Sequence, residues 1–310
     1  MSFAAFYGAT SEQKAHQTLA TALDLEIDFL DTANIYGMGL SETIIGNFIK
    51  GDADKFVIAT KGAVWEDSET GKQSFNNTAS HLSTALDQSL TRLQVDQVAL
   101  YYIHRRTPDI EIEQVMDTLL GFKAKGKIGG IGFSEISPAS LRRACAVGLV
   151  DAVQIECSLW SRGPELGMLQ ACTELDVAFV PFSPVGRGIF AQKTPDPATF
   201  QDTDFGKDTP RFTEPNFGYN LAKIDAFKAL ARNLGTHPTS LAIAWCLHRG
   251  PHLIPIPGTR SSAHLSQCAE AGTFMMTAAI MTEIETILPV GWTHGDRYTK
   301  AQWNGPEGYY

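Results

Sequence analysis

Ile27-Asp28-Phe29-Leu30-Asp31, a short apolar run that stops on an acidic residue, sets the pattern from which the rest of the chain is read. A similar run at 56–60 is ended by Lys61, and one at 98–103 by His104. Four more runs, at 130–133, 152–155, 178–181 and 253–256, bring the candidate strands to seven. Between them lie amphipathic segments with helical spacing near 12–25, 41–50, 78–93, 111–125, 138–147, 165–175 and 219–249. Strands alternating with helices at this spacing predict repeated βα units and a parallel sheet. The last helical span divides in two, because Gly235-Thr236-His237-Pro238 stops one helix and starts another. Thr78 and Ser137-Pro138 are suited to helix starts, the second with proline in the first helical position.

Two α/β architectures compete. A closed (β/α)8 TIM barrel needs eight strands, and an open doubly wound sheet is the alternative. Against the open sheet, no strand is followed by G-x-G-x-x-G and no Walker motif occurs. Gly126-Lys127-Ile128-Gly129-Gly130-Ile131-Gly132 is glycine-rich but wrongly spaced, and reads better as close packing at a strand. With no internal repeat and no linker, residues 1–310 are expected to form a single barrel domain. A Pro-, Asp- and Gly-rich stretch at about 184–218 is long for a loop, which marks it as a candidate functional segment. A tail follows at about 289–310.

Composition narrows the function. Asp plus Glu exceed Lys plus Arg by 34 to 25, giving a net charge of -9 and no basic stripe, so a nucleic-acid binder is not expected. No apolar stretch has the length of a membrane span, and the start of the chain lacks the form of a signal peptide. Five scattered cysteines with no C-x-x-C pair suit a reducing cytoplasm and argue against a disulfide framework or a zinc cage.

The informative residues stand where the strands stop. Asp31, Lys61 and His104 end three successive strands, and Tyr36 follows Asp31 by five residues. In a parallel barrel these ends share one mouth. Each residue alone has a plain explanation: a turn cap, a snorkelling lysine, a satisfied buried imidazole. Together they suit carbonyl reduction. Hydride addition builds negative charge on oxygen, which calls for a proton and an electropositive site. A phenol is a poor acid near neutrality unless an ammonium stands beside it to favour the phenolate. Lys61 is a candidate for that ammonium, Asp31 for its holder, and His104 for a donor to the substrate oxygen. A protein has no hydride of its own, so a nicotinamide is implied.

At these residues the sequence resembles the aldo-keto reductases. The matching pieces are Asp31-Thr32-Ala33-Asn34-Ile35-Tyr36-Gly37, Ser41-Glu42, Ile58-Ala59-Thr60-Lys61 and Leu100-Tyr101-Tyr102-Ile103-His104-Arg105. Ile131-Gly132-Phe133-Ser134-Glu135 and Ser158-Leu159-Trp160-Ser161-Arg162 look most like the bacterial branch that includes pyridoxal reductases and pyridoxine dehydrogenases. The resemblance implies an oxidoreductase moving hydride between NADP(H) and an aldehyde or ketone, aromatic aldehydes such as pyridoxal among them. It also implies cofactor contacts. Ser134 and Gln154 would hold the carboxamide, Phe182 would stack on the nicotinamide, and Ser183, Val185 and Arg187 would pass along the pyrophosphate. Gly258 and Arg260 would meet the adenosine half, followed by His264, Gln267 and Cys268. These last three stand where relatives commonly have Arg, Glu and Asn, which keeps NAD(H) open beside NADP(H).

Tyr36, Trp65, His104 and Trp160 are the expected walls of a pocket for a small carbonyl substrate. Trp303, Tyr309 and Tyr310 in the tail leave lid, interface and loose end all open. Relatives carry about twenty more residues before the segment matching Met1-Ser2-Phe3, so the first barrel strand and an N-terminal hairpin are expected to be missing. Two other functions stand beside the reductase. One is a cofactor-binding regulatory module with little turnover. The other is a metal-dependent hydrolase, disfavoured because His104 is the sole histidine at a strand end; no metal site is expected.

Overall fold

A computed structural model describes residues 3, 10–66, 73–201 and 204–308. The first residues, on which the expected missing strand bears, and Tyr309 and Tyr310 of the tail fall largely or wholly outside that set.

The apolar runs form the sheet that the sequence predicts. β1 (Phe29–Asp31), β2 (Val57–Gly62), β5 (Val98–Ile103), β6 (Ile128–Ser134), β7 (Ala152–Glu156) and β8 (Ala178–Phe182) lie side by side in chain order, all parallel. The 253–256 segment continues the series through parallel bridges from Leu253 to Phe179 and from Ile256 to Phe182. All seven runs are therefore neighbours, and neighbouring strand order with helical crossovers is the geometry of the (β/α)8 barrel. Between β2 and β5 the chain adds an antiparallel hairpin, β3 (Val64–Glu66) and β4 (Gln73–Phe75).

Glycines in β6 serve packing. A Cβ on Gly132 would stand 2.4 Å from the ring of Tyr102, and one on Gly129 would stand 2.9 Å from the backbone oxygen of Ala99. Only a bare backbone lets the buried tyrosine lie across the neighbouring strand.

The helices form where amphipathic spacing and caps coincide. α1 (Glu12–Asp24) and α2 (Leu40–Ile49) flank β1 in the chain. Thr78 accepts the His81 N–H to cap α3 (Ala79–Leu93), and Ser137 accepts the Ser140 N–H to cap α5 (Pro138–Val147). α4 (Ile112–Ala124) and α6 (Met168–Leu175) complete the first half of the outer ring. The predicted break is real: α7 (Asn216–Asn233) ends before Gly235, whose φ is +69°, and α8 (Pro238–Leu247) begins on the proline. α9 (Ser262–Ala269) and α10 (Ala278–Ile287) are additions that the spacing did not suggest.

Two apolar cores divide the work. The larger joins β1, β2 and β5 to β8 with α1 to α6, through residues such as Leu19, Leu30, Phe133 and Phe179. The second gathers Trp160, Phe190, Phe212, Phe227, Trp245 and Trp292 around the 184–218 loop, α7, α8 and α10. Phe190 and Phe212 anchor that loop, so it is packed rather than a loose excursion. No helix among the described residues is long and apolar enough to cross a membrane.

Candidate active site

The barrel brings the polar strand ends to one rim. Asp31 closes β1, Lys61 is next to last in β2 and His104 follows β5. Backbone bonds extend the alignment beyond the strands: Asn34 N donates to Lys61 O at 3.1 Å, and His104 N to Gly62 O at 3.0 Å.

Lys61 is fully buried. Its ammonium donates to Asp31 Oδ1 and, at 2.8 Å, to the carbonyl of Thr32. A buried charge needs such a partner and additional hydrogen bonds. From that fixed position Nζ stands 5.4 Å from the centre of the Tyr36 ring. The Tyr36 and His104 rings meet edge to face, with centroids 6.0 Å apart. Burial pushes the His104 imidazole well below its ordinary value, and the nearby Arg105 and Lys61 cations add to the effect. It is therefore neutral near pH 7 and offers one ring N–H as a donor. Its Nδ1 has no hydrogen-bond partner among the described residues.

Of the residues expected at the nicotinamide, Ser134 ends β6 and accepts from Arg105 Nη1 at 3.1 Å. Gln154 in β7 donates its side-chain amide to Asp31 Oδ2 at 2.8 Å. Phe182, the half-buried last residue of β8, lies one strand further along. Ser183 follows with a φ of +52° and Val185 leans on the second core. Arg187 sits in the left-handed region, pairs with Glu156 and covers the Phe205 ring at 3.8 Å.

Gly258 is exposed, and a Cβ there would meet nothing within 4 Å. Arg260 is half-buried just ahead of α9, whose N-cap Ser261 makes no side-chain capping bond. His264 is exposed and Gln267 half-buried on that helix. Cys268 instead packs with Ile243, Ala244 and Ala271, where burial pushes its thiol up to about 12. These placements fit a dinucleotide phosphate: an aromatic face at a strand end, an unobstructed loop, and an arginine beside a helix N-terminus.

The two tryptophans part company. Trp65, 41% exposed on β3, lines a cleft of about 260 Å³ with Asn34, Ile35, Met38 and Val64. Trp160 is only 2% exposed and meets Phe212 edge-on at 5.0 Å in the second core.

A charged cluster beside these residues joins Arg187 and Glu135 to Glu156 and Arg297, to which the sequence reading gave no role. Glu135 has a φ of +54° and is held by Arg297 of the tail. Glu156 accepts from Arg187, from Arg297 and from Ser161. Burial opposes the charge on Glu156, but Arg187, Arg297 and Arg211 outweigh it and hold the carboxyl down to about 2. The tail then crosses the end of β6: Glu307 N donates to Glu135 O, and its carboxylate accepts the Ser137 N–H and pairs with Arg106. Glu135 and Glu156 obey the same rule of polar residues at strand ends that singled out Asp31. Arg297 lies in a tail without periodicity and gave no signal.

Comparison with known proteins matches residues 1–289 to the aldo/keto reductase family. The aldo-keto reductase Yakc [NADP(+)] of Schizosaccharomyces pombe is 35% identical over 303 residues, covering 96% of this chain and 89% of that protein. A glycerol dehydrogenase from Gluconobacter oxydans superposes with a TM-score of 0.85 at 26% identity, covering 93% of this chain and 88% of its own. An aldo-keto reductase from Klebsiella pneumoniae, solved with NADPH, has the same fold at a TM-score of 0.72 and 21% identity, covering 94% and 91%. With the family match spanning most of its length, this chain belongs to the aldo-keto reductases.

Proposed function

We propose that residues 1–310 form one catalytic barrel that transfers hydride between NADP(H) and an aldehyde or ketone, with Tyr36 as the proton donor. One observation carries the reading: a buried ammonium, clamped by Asp31, lies 5.4 Å from the phenol ring that faces a neutral His104. The NADP(+) in the name of the Schizosaccharomyces relative and the NADPH bound by the Klebsiella structure support the choice of cofactor.

The bound nicotinamide supplies the hydride. Ser134 and Gln154 would orient its carboxamide, Phe182 would flank the ring, and Arg260 with the start of α9 would hold the 2′-phosphate. As charge grows on the substrate oxygen, the Tyr36 hydroxyl gives it a proton while the neutral His104 ring N–H holds it in place. Lys61 stabilises the phenolate that remains, and Asp31 keeps that ammonium charged and positioned.

For the substrate we infer an aromatic aldehyde, pyridoxal among the candidates, on the strength of Ile131-Gly132-Phe133-Ser134-Glu135 and Ser158-Leu159-Trp160-Ser161-Arg162. The test is NADPH consumption with pyridoxal and benzaldehyde. Saturable turnover supports the reading, and binding of NADPH without turnover of any aldehyde overturns it.

A further inference from the structure

The 184–218 loop delivers one arginine that the reaction does not use. Arg211 Nε donates to Gly295 O at 3.2 Å, and Nη1 donates to Ser161 Oγ at 2.7 Å and to Trp160 O. Nη2 makes no hydrogen bond among the described residues, and none of their carboxylates pairs with this guanidinium. Arg211 lines a cavity of about 180 Å³, together with Glu156, Ser161, Asp296, Arg297 and Trp303.

Every other charge around that cavity is already matched. Arg187 and Arg297 share Glu156, and Arg297 also holds Glu135. Arg162 is bound between Glu165 and Glu285. Asp296 accepts from Trp303 Nε1 at 2.9 Å and from the Arg297 N–H at 2.7 Å. What Arg211 lacks among the described residues is a carboxylate partner, since its three acceptors are carbonyl and hydroxyl oxygens. Burial pushes this guanidinium down to about 10, Glu156 and Asp296 acting against that fall and Arg297 and Arg187 with it. A desolvated cation without a carboxylate is costly, and an anion in the cavity would offset that cost.

The place is as informative as the charge. Glu156 lies two residues beyond Gln154 on β7, so both side chains share one face. They are separated by roughly 7 Å along the strand. Gln154 itself bonds Asp31 beside the reacting groups. Through Glu156 the cavity wall thus lies about one substituted aromatic ring from Gln154, and its size compares with the roughly 150 Å³ void that accommodates benzene in an engineered protein.

We propose that this cavity is an anion subsite of the substrate pocket, in which Arg211 receives the carboxylate or phosphate of an anionic aldehyde. The proposal rests on the reductase reading above and adds a substrate class to it.

The test compares benzaldehyde with 4-carboxybenzaldehyde, using NADPH and the full chain, in the wild type, Arg211→Met and Arg211→Lys. A charge-assisted hydrogen bond is expected to lower the KM of the carboxylate substrate about tenfold relative to the neutral one. The KM ratio should fall to about one in Arg211→Met and recover in part in Arg211→Lys. Equal KM values in the wild type, or a preference that survives Arg211→Met, overturn the proposal while leaving the reductase standing. A second arm needs neither turnover nor a variant: thermal melts of the wild type, saturated with NADPH so that the 2′-phosphate site is filled, with benzoate, inorganic phosphate or benzyl alcohol. Stabilisation by benzoate or phosphate but not by the alcohol supports the subsite, and the larger shift identifies the anion. No shift from either anion overturns it, whatever the aldehyde assays give.

Discussion

Gln154 and Asp31 stand 123 residues apart in sequence and meet at 2.8 Å, the amide of one donating to the carboxylate of the other. Lys61 occupies the second oxygen of Asp31, so that carboxylate ties β7 to β1 and β2 across the mouth of the barrel. A glutamine has two amide hydrogens and a carbonyl oxygen. Bonding Asp31 therefore leaves Gln154 able to meet a carboxamide as well.

Breaking the Asp31–Lys61 pair from either side is expected to cost about 3–5 kcal/mol, because the survivor stays buried without its counter-charge. Asp31→Ala and Lys61→Met should each lower the urea midpoint. The double variant should lose clearly less than the sum of the two. Additive losses in equilibrium unfolding would mean that the pair is not coupled.

Glu42 has the same dependence without any part in the chemistry. It is fully buried, accepting from Thr60 Oγ1 at 2.5 Å and from Arg92 Nε at 2.7 Å. Glu42→Ala leaves both donors without their acceptor and should destabilise the fold by about 3 kcal/mol. A thermal melt within a degree of wild type would contradict this.

Glu156 should make the protein acid-sensitive. Its folded carboxyl lies at about 2 against an ordinary 4.5, so protons bind the unfolded chain first as the pH falls. Stability from this group is fully present above pH 4.5 and is lost as the pH falls towards 2, amounting to roughly 3 kcal/mol. Glu156→Gln should be less stable at pH 7 and should show a shallower decline between those limits. Parallel unfolding curves for the two proteins across that window would argue against the assignment.

His104 has the opposite chemistry and a related sign. Its folded value lies well below 6.5, so below that pH the unfolded chain binds a proton that the native state refuses. Stability should therefore fall as the pH drops through 6.5, and His104→Gln should remove that component. In the native protein the His104 ring resonances should not titrate between pH 8 and 6, and a midpoint near 6.5 would refute the neutral donor.

The strands were legible because each is a short apolar run set between helical patterns; six of the seven form strands close to where that pattern placed them, and 253–256 joins the sheet through two bridges. Helix starts at Thr78, Ser137 and Pro238 were legible because local hydrogen bonds and proline chemistry act over three residues. α9 was not, since eight residues with only Leu265 and Cys268 buried give too little periodicity. The β3–β4 hairpin was hidden for a similar reason, with three residues to each strand. Asp31, Lys61 and His104 could be placed at one rim because strand order fixes it. The meeting of Arg297 with Glu135 and Glu156 depends on how a non-periodic tail folds back over the barrel, and sequence spacing carries no trace of that.

The central claim is that Tyr36 protonates a carbonyl under the influence of Lys61. Its most direct test is NADPH oxidation with an aromatic aldehyde by the wild type and by Tyr36→Phe, with NADPH binding measured for both. Removal of the single hydroxyl should lower kcat at least a hundredfold while NADPH binding stays within a few fold. A Tyr36→Phe protein that turns over at a rate close to wild type would contradict the account.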